Sequence, residues 1–133
     1  MKRVTGIGGM FFKSADPKQT LAWYRDRLGI DAADWGGFAF QWLEKDRPDN
    51  TGYTVWSVFP EDSQHMAPSS APFMMNYRVD DLVALVSALR EEGVEILGDV
   101  EQHENGKFAW IADPDGRKVE LWEPVPSKDD PYI

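Results

Sequence analysis

DPDGRKVELWEP (residues 113–124) carries the chain's clearest structural signal. Asp115-Gly116 is a tight-turn pair, and Val119-Glu120-Leu121-Trp122 behind it is a short β-prone run. In a strand, successive side chains point to opposite faces, so Val119 and Leu121 share one face and Glu120 and Trp122 the other. On one reading Glu120 points at water while Val119 and Leu121 face a core. On the other, Glu120 and Trp122 together line a cavity.

Working upstream, "KFAWIA" (107–112) follows the turn pair Asn105-Gly106, and a further β-prone run spans about Val94 to Val100. Before these lies a helix with the apolar stripe Leu82, Leu85, Val86 and Leu89. Asp80 or Asp81 can cap it and Gly93 ends it. "FMMNYRV" (73–79) precedes it as a strand. The first half has the same order. Met10-Phe11-Phe12 is β-prone, Asp16-Pro17 opens a helix with Leu21, Tyr24 and Leu28 at helical spacing, and Gly29 stops it. "GGFAFQWLE" (36–44) and "YTVWSVF" (53–59) follow, with a weaker run near Ile30. Asp16 answers to Asp81 and Gly29 to Gly93, an offset of about 64 or 65 positions. The order is strand, helix and about three strands, twice.

The expected organisation is one domain: module 1 over about 1–60, a Pro/Ser/Asp-rich connector over 60–72, module 2 over about 73–124 and a tail over 125–133. Each half alone would have one helix on a small sheet and little core. The tail, "PVPSKDDPYI", is expected to be loosely held or to strap over a neighbour.

Composition narrows the functional classes. The chain has 133 residues, 14 Lys+Arg against 23 Asp+Glu and a formal net charge of −9. That balance repels a phosphate backbone, so no nucleic-acid partner is expected. No apolar run approaches the roughly 20 residues that cross a bilayer, so no membrane partner is expected. MKRVTGIGG has no apolar stretch of signal-peptide length, and a cytoplasmic location is the simplest expectation. The absence of cysteine excludes disulfides and thiolate ligands. Six Trp, seven Phe and four Tyr exceed what a small core requires, which points some of them towards a pocket. "GIGG" (6–9) is no phosphate loop, because it lacks the downstream Lys-Ser/Thr and enters a strand. "REE" (90–92) reads as a solvated charge cluster.

The two βαβββ modules resemble the vicinal oxygen chelate superfamily of glyoxalase, bleomycin-resistance and extradiol-dioxygenase proteins. "DPKQTLAWYRDRLG", "YRVDDLVALVSALREEGVEI" and "FAWIADPDGRKVELWEP" carry the likeness, and its D-P-D-G-x-x-x-E-L ending is the most specific part. The resemblance implies an α+β fold: a cupped mixed β-sheet with helices on the outside. It also implies a homodimer, with the modules paired within one chain or exchanged between two.

In metal-using members a cation sits on the cup floor, held at equivalent strand positions of both modules. Carried over, these positions are Gly9, Met74, Glu120 and Trp56. Glycine offers no donor and a thioether matches hard or borderline divalent ions poorly. Glu120 alone is a competent ligand, whereas a catalytic metal takes about three. The expectation is therefore no metal ligands and no cofactor. The only histidines, His65 in the connector and His103 near a hairpin, read as solvent-exposed loop residues, with His65 the one able to swing inward.

By the resemblance, Glu120 and Trp122 point into the cup while Val119 and Leu121 pack towards the helices. Counting by twos from Met74 places Asn76 and Arg78 inward and Met75, Tyr77 and Val79 outward. Phe11 and Lys13 share the phase of Gly9, Trp56 that of Glu120, and Phe108 and Trp110 fall on one side together. Trp23 reads as core or interface. The expected ligand-binding set is Phe11, Trp56, Met74, Asn76, Arg78, Trp110, Glu120 and Trp122.

Such a cup suits a small, planar or partly apolar molecule bound without metal, as in bleomycin-resistance relatives. The alternative is a glyoxalase-type lyase, isomerase or dioxygenase that uses a non-standard metal site or Glu120 as a metal-free general base. A Glu120–Arg78 ion pair would instead satisfy two semi-buried charges. A collapsed pocket would leave a purely structural dimer. The ligand's identity and the existence of a reaction are not legible in the sequence.

Overall fold

The fold is described from a computed structural model of residues 3–133. Its elements are β1 (Val4–Ser14), α1 (Pro17–Leu28), β2 (Gly37–Leu43), β3 (Thr51–Pro60), β4 (Phe73–Val79), α2 (Leu82–Glu91), β5 (Glu101–His103), β6 (Gly106–Ala112) and β7 (Lys118–Pro124). One seven-stranded sheet has the order β2-β3-β1-β4-β7-β6-β5 and is α+β, open and cupped. Among the described residues no helix is long and apolar enough to cross a membrane.

The module repeat is visible in the pairing. β1 and β4 lie antiparallel at the centre, β1 pairs parallel with β3, and β4 pairs parallel with β7. Outside these, β2 runs antiparallel to β3 and β6 antiparallel to β7. Local chemistry sets the helix ends. The Asp16 and Asp81 carboxylates each accept a backbone N–H of the first turn, at 3.2 Å in both cases. Gly29 closes α1 in the left-handed conformation, at φ 71°.

Two expected strands do not form. The segment near Ile30 is a loop whose turn is closed by Gly36 N–H donating to the Ala33 carbonyl. Val94–Val100 keeps one bridge, Ile96 to Ile111, and a strand begins only at Glu101. Gly98, at φ 86°, breaks the extended path between them.

Leu121 and Val119 of β7 pack with Val79, Leu82, Leu85 and Val86 beneath α2, the side opposite Glu120. α1 is held mainly by Tyr24, whose ring meets Phe12 and Trp56 edge-on at 6.0 and 4.9 Å. α1 itself has no fully buried residue, and Trp23, expected in core or interface, is 53% exposed within the chain.

The tail is a strap across the chain's own first module. Ser127 N–H donates to Asn50 Oδ1 and its hydroxyl accepts from the Thr51 N–H. Asp130 is buried, accepting the Tyr53 hydroxyl at 2.7 Å and the Tyr132 N–H at 2.9 Å. Desolvation, followed by the Asp130 carboxylate, pushes the Tyr53 phenol far above its ordinary value of 10.0.

Candidate functional site

Strand register brings the polar floor of the cup together. Asn76 faces Glu120 across β4 and β7, and Trp110 faces Glu120 across β6 and β7. Cross-strand partners share a face within side-chain reach, so the three side chains meet by construction. Asn76 Nδ2 donates to Glu120 Oε1 at 2.6 Å, and Trp110 Nε1 donates to Glu120 Oε2 at 2.8 Å. Glu120 is only 4% exposed, so it does not point at bulk water.

One pleat further along, Arg78, Trp122 and Phe108 form a second row on the same register. Phe108 and Trp122 stack with centroids 5.9 Å apart and planes 6° apart. The Trp122 Nε1–H is satisfied by the Asn105 carbonyl at 2.9 Å. These rows bound a cavity of about 270 Å³ whose opposite wall is Phe11, Tyr53, Val55 and Phe59, with Trp35 and Tyr132 at its edge. A second hollow of about 600 Å³ adjoins it, sharing Asn105, Phe108, Glu120 and Tyr132. Its remaining lining is His65, Glu101, His103, Glu104 and Trp110.

Phe11, Asn76, Glu120 and Trp122 thus line the apolar chamber, and Trp110 lines the polar hollow. Met74 is buried in a cluster with Phe11, Met66 and Trp110 beneath the chamber. Lys13 is not part of the cavity lining.

Two expectations are corrected. Trp56 lies on the opposite face of the sheet, against Phe12 and Tyr24 of the α1 layer. Tyr53, Val55, Ser57 and Phe59 are the β3 residues that line the cup. The Glu120–Arg78 pair does not exist. Arg78 Nη2 donates to Glu44 at 3.0 Å, and its guanidinium lies 5.0 Å from the ring centroids of both Trp42 and Trp122. Desolvation holds the Arg78 pKa below its usual value, opposed by the Glu44 carboxylate. Arg78 therefore braces the wall behind Trp122.

His65 is an exposed connector residue, as expected, with a side chain 39% exposed, and it makes the inward contact the sequence allowed: Nε2 lies 3.1 Å from Glu120 Oε2 and its ring stacks on Phe59 at 5.5 Å. Lys118 fixes this part of the connector by donating to the His65 and Ala67 carbonyls at 2.7 and 3.0 Å. Burial lowers the Lys118 pKa, against the pull of the Glu120 and Glu101 charges. His103 remains a surface residue, 3.0 Å from Glu101.

Gly8, at the bulge between the Ile7 and Gly9 pairings, lets β1 approach the floor. An added Cβ there would lie 2.1 Å from Asn76 Oδ1. That oxygen is buried and accepts no hydrogen bond. Nothing in the sequence marked it, because the orientation of the Asn76 amide is decided by Glu120 across the sheet.

A cupped sheet built from two repeated modules, with a cavity at their junction, defines the class of protein. The family model of the Glyoxalase/Bleomycin resistance protein/Dioxygenase superfamily matches residues 10–121, and the chain belongs to that superfamily. Among solved structures, methylmalonyl-CoA epimerase from Mycobacterium tuberculosis is similar at 21% identity and a TM-score of 0.65, covering 95% of this chain and 92% of that one. A Streptomyces coelicolor methylmalonyl-CoA epimerase variant in complex with 2-nitronate-propionyl-CoA gives 17% identity and a TM-score of 0.66, covering 92% and 99%. A Legionella pneumophila structure described as an NAD-dependent benzaldehyde dehydrogenase gives 11% and 0.56, covering 88% and 98%. At these identities the likeness is one of fold. No curated protein matches the chain.

Proposed function

We propose that this protein binds a small, planar or partly apolar molecule in its aromatic cup without a family-type divalent metal. The observation that carries the reading is Glu120: a buried carboxylate at the floor of an aromatic-walled cavity, held by Asn76, Trp110 and His65. At about 270 Å³ the chamber is at the small end of ligand sites, suited to one ring or two. A divalent ion needs about three hard or borderline donors. The register partners on the first-module side of the floor are Gly9 and Val55, which have no donor atom, and the Asn76 amide nitrogen is turned to Glu120. Among the described residues no cluster of three or more His, Cys, Asp or Glu is placed to hold a metal.

The CoA ester in the Streptomyces coelicolor epimerase complex is a poor candidate here. Its phosphates would meet a chain of net charge −9 and a hollow lined by Glu101 and Glu104.

The test is a binding screen of one- and two-ring compounds by tryptophan fluorescence and calorimetry, on protein purified without chelator and analysed for metals. Saturable binding that survives EDTA is expected. Stoichiometric Zn, Ni, Mn or Fe, or binding abolished by EDTA, overturns the metal-free reading.

The His65–Glu120 contact favours a second reading, in which Glu120 is the general base of a lyase, isomerase or dioxygenase of the glyoxalase type and His65 sets its proton. Turnover lost in Glu120→Gln with ligand affinity retained would support it. Retained turnover would remove the base.

A further inference from the structure

The charge balance around Glu120 says what kind of molecule the cup takes, given the binding role proposed above. A carboxylate that leaves water normally finds a cation, because desolvating it unpaired is expensive. Here its donors are an amide, an indole and one imidazole nitrogen. Among the described residues no Lys or Arg lines the chamber or the adjoining hollow. Arg78, on the neighbouring strand, is committed to Glu44. Lys118 feels the Glu120 charge, but its ammonium is bonded to two carbonyls and lies 5.5 Å from the Trp110 ring centroid.

Donors are also scarce. A carboxylate offers about four acceptor positions. Three are used, and Oε1 takes only the Asn76 bond. Asn76 Oδ1 takes none, but it is fully buried against Gly8 and not open to a ligand. The floor therefore keeps spare acceptor capacity at Glu120 Oε1 with, among the described residues, no Lys or Arg in the chamber lining, while the walls are aromatic faces that favour a cation above them. Glu101 and Glu104 in the hollow extend the negative field outwards.

We propose that the ligand is a compact monocation whose charge rests on N–H groups attached to a planar ring, an aryl amidinium or arylalkyl ammonium, with its nitrogen against Glu120 and its ring among Phe11, Phe59, Phe108 and Trp122. The first three rings and Trp122 all line the same chamber as the carboxylate.

The experiment titrates the full chain with benzamidinium, its neutral isostere benzamide, the anion benzoate and phenyltrimethylammonium. Affinity is read by calorimetry and location by the Trp110 and Trp122 indole N–H resonances. Benzamidinium is expected to bind at least about tenfold tighter than benzamide, with benzoate weakest and the donor-free quaternary cation in between. Glu120→Gln, checked for folding by near-ultraviolet circular dichroism, is expected to erase the preference for benzamidinium over benzamide. The wild-type series does not depend on that variant. Benzamide or benzoate binding as tightly as benzamidinium overturns the charge assignment while leaving the cup as the binding site. Phenyltrimethylammonium matching benzamidinium overturns the N–H requirement. No shift of either indole with any of the four compounds overturns the cup reading together with the inference.

Discussion

Replacing Gly8 by alanine tests the geometry of the cup floor with a single methyl group. The added Cβ would lie 2.1 Å from Asn76 Oδ1, 2.9 Å from Trp122 Cε3 and 3.1 Å from Arg78 Cγ. None of these neighbours moves freely. Asn76 is bonded to Glu120 at 2.6 Å, Trp122 is stacked on Phe108 and bonded to Asn105, and Arg78 is tied to Glu44 and lies against two indoles. Overfilling a rigid site of this kind costs about 1–3 kcal/mol. With a urea m-value of roughly 2 kcal/mol/M, the unfolding midpoint should fall by about 0.5–1.5 M. Ligand affinity should fall as well, since the yielding group is Asn76 and Glu120 moves with it. Gly6→Ala, two residues away on the same strand, is the control. Its Cβ would meet nothing closer than 3.9 Å, so stability should hold or rise by up to about 1 kcal/mol through strand propensity. If Gly8→Ala unfolds at the wild-type midpoint and binds ligand equally well, β1 does not approach the floor as described.

Tyr53→Phe should cost about 1–3 kcal/mol in urea denaturation, because it leaves the buried Asp130 carboxylate without its hydroxyl donor. The Tyr53 phenol is raised in the folded protein, so its contribution is fully present below about pH 10, the unfolded value, and is lost as pH rises towards the folded one. Wild type should therefore lose stability above about pH 10 more steeply than Tyr53→Phe, a difference readable in denaturation curves at stepped pH. Gly29→Ala should cost about 1–2 kcal/mol by thermal unfolding with no change in ligand affinity, since its φ is 71° and the space around it is open. Trp110→Phe keeps most of the ring but removes one donor to Glu120. It should lower stability by about 1–3 kcal/mol, with full wild-type stability counting against the Trp110–Glu120 bond.

Local signals made much of the fold readable. Asp16 and Asp81 cap their helices through their own side chains; the Asp115-Gly116 turn separates β6 from β7, and the turn before β6 falls at Glu104-Asn105, one residue ahead of the expected Asn105-Gly106 pair. Alternation put Glu120 and Trp122 on one face of β7, and the family resemblance said which face was inward. Trp56 shows how narrow that margin is, because a one-residue slip moves a strand residue to the other face. Counting from Gly29 and Gly93 gives an offset of 64 and lands on Trp56, whereas the capping aspartates give 65 and land on Val55. The aspartates are the true equivalents. Gly29 is itself the C-cap of α1, but α2 is capped by Glu92 with Gly93 one residue beyond. The Gly8 bulge was not legible, and for His65 and the tail the sequence offered an inward swing and a strap only as options, without the partners that fix them. Each is fixed by contacts between distant parts of the chain: Gly8 with Asn76, His65 with Phe59 and Glu120, and Asp130 with Tyr53.

The repeat also explains why the cup has a polar end and an apolar end. One register line crosses the sheet through Val55, Gly9, Asn76, Glu120 and Trp110. Its first-module members, Val55 and Gly9, have no polar side-chain atom, while its second-module members Asn76, Glu120 and Trp110 bond to one another. On the proposed binding role, a ligand would be oriented by that difference, with its polar atoms towards β7 and its apolar body towards β3. The strap is anchored on Asn50, Thr51 and Tyr53 at the β3 side, and Tyr132 reaches across to Glu104 at 3.1 Å and meets Trp35 edge-on at 6.4 Å. In the proposed binding role, both the polar floor and most of the apolar wall are strand residues locked by register, and loop and tail residues add only Trp35, Asn105 and Tyr132 to the lining. Fold is set by the former, and change in ligand shape is accommodated most cheaply in the latter.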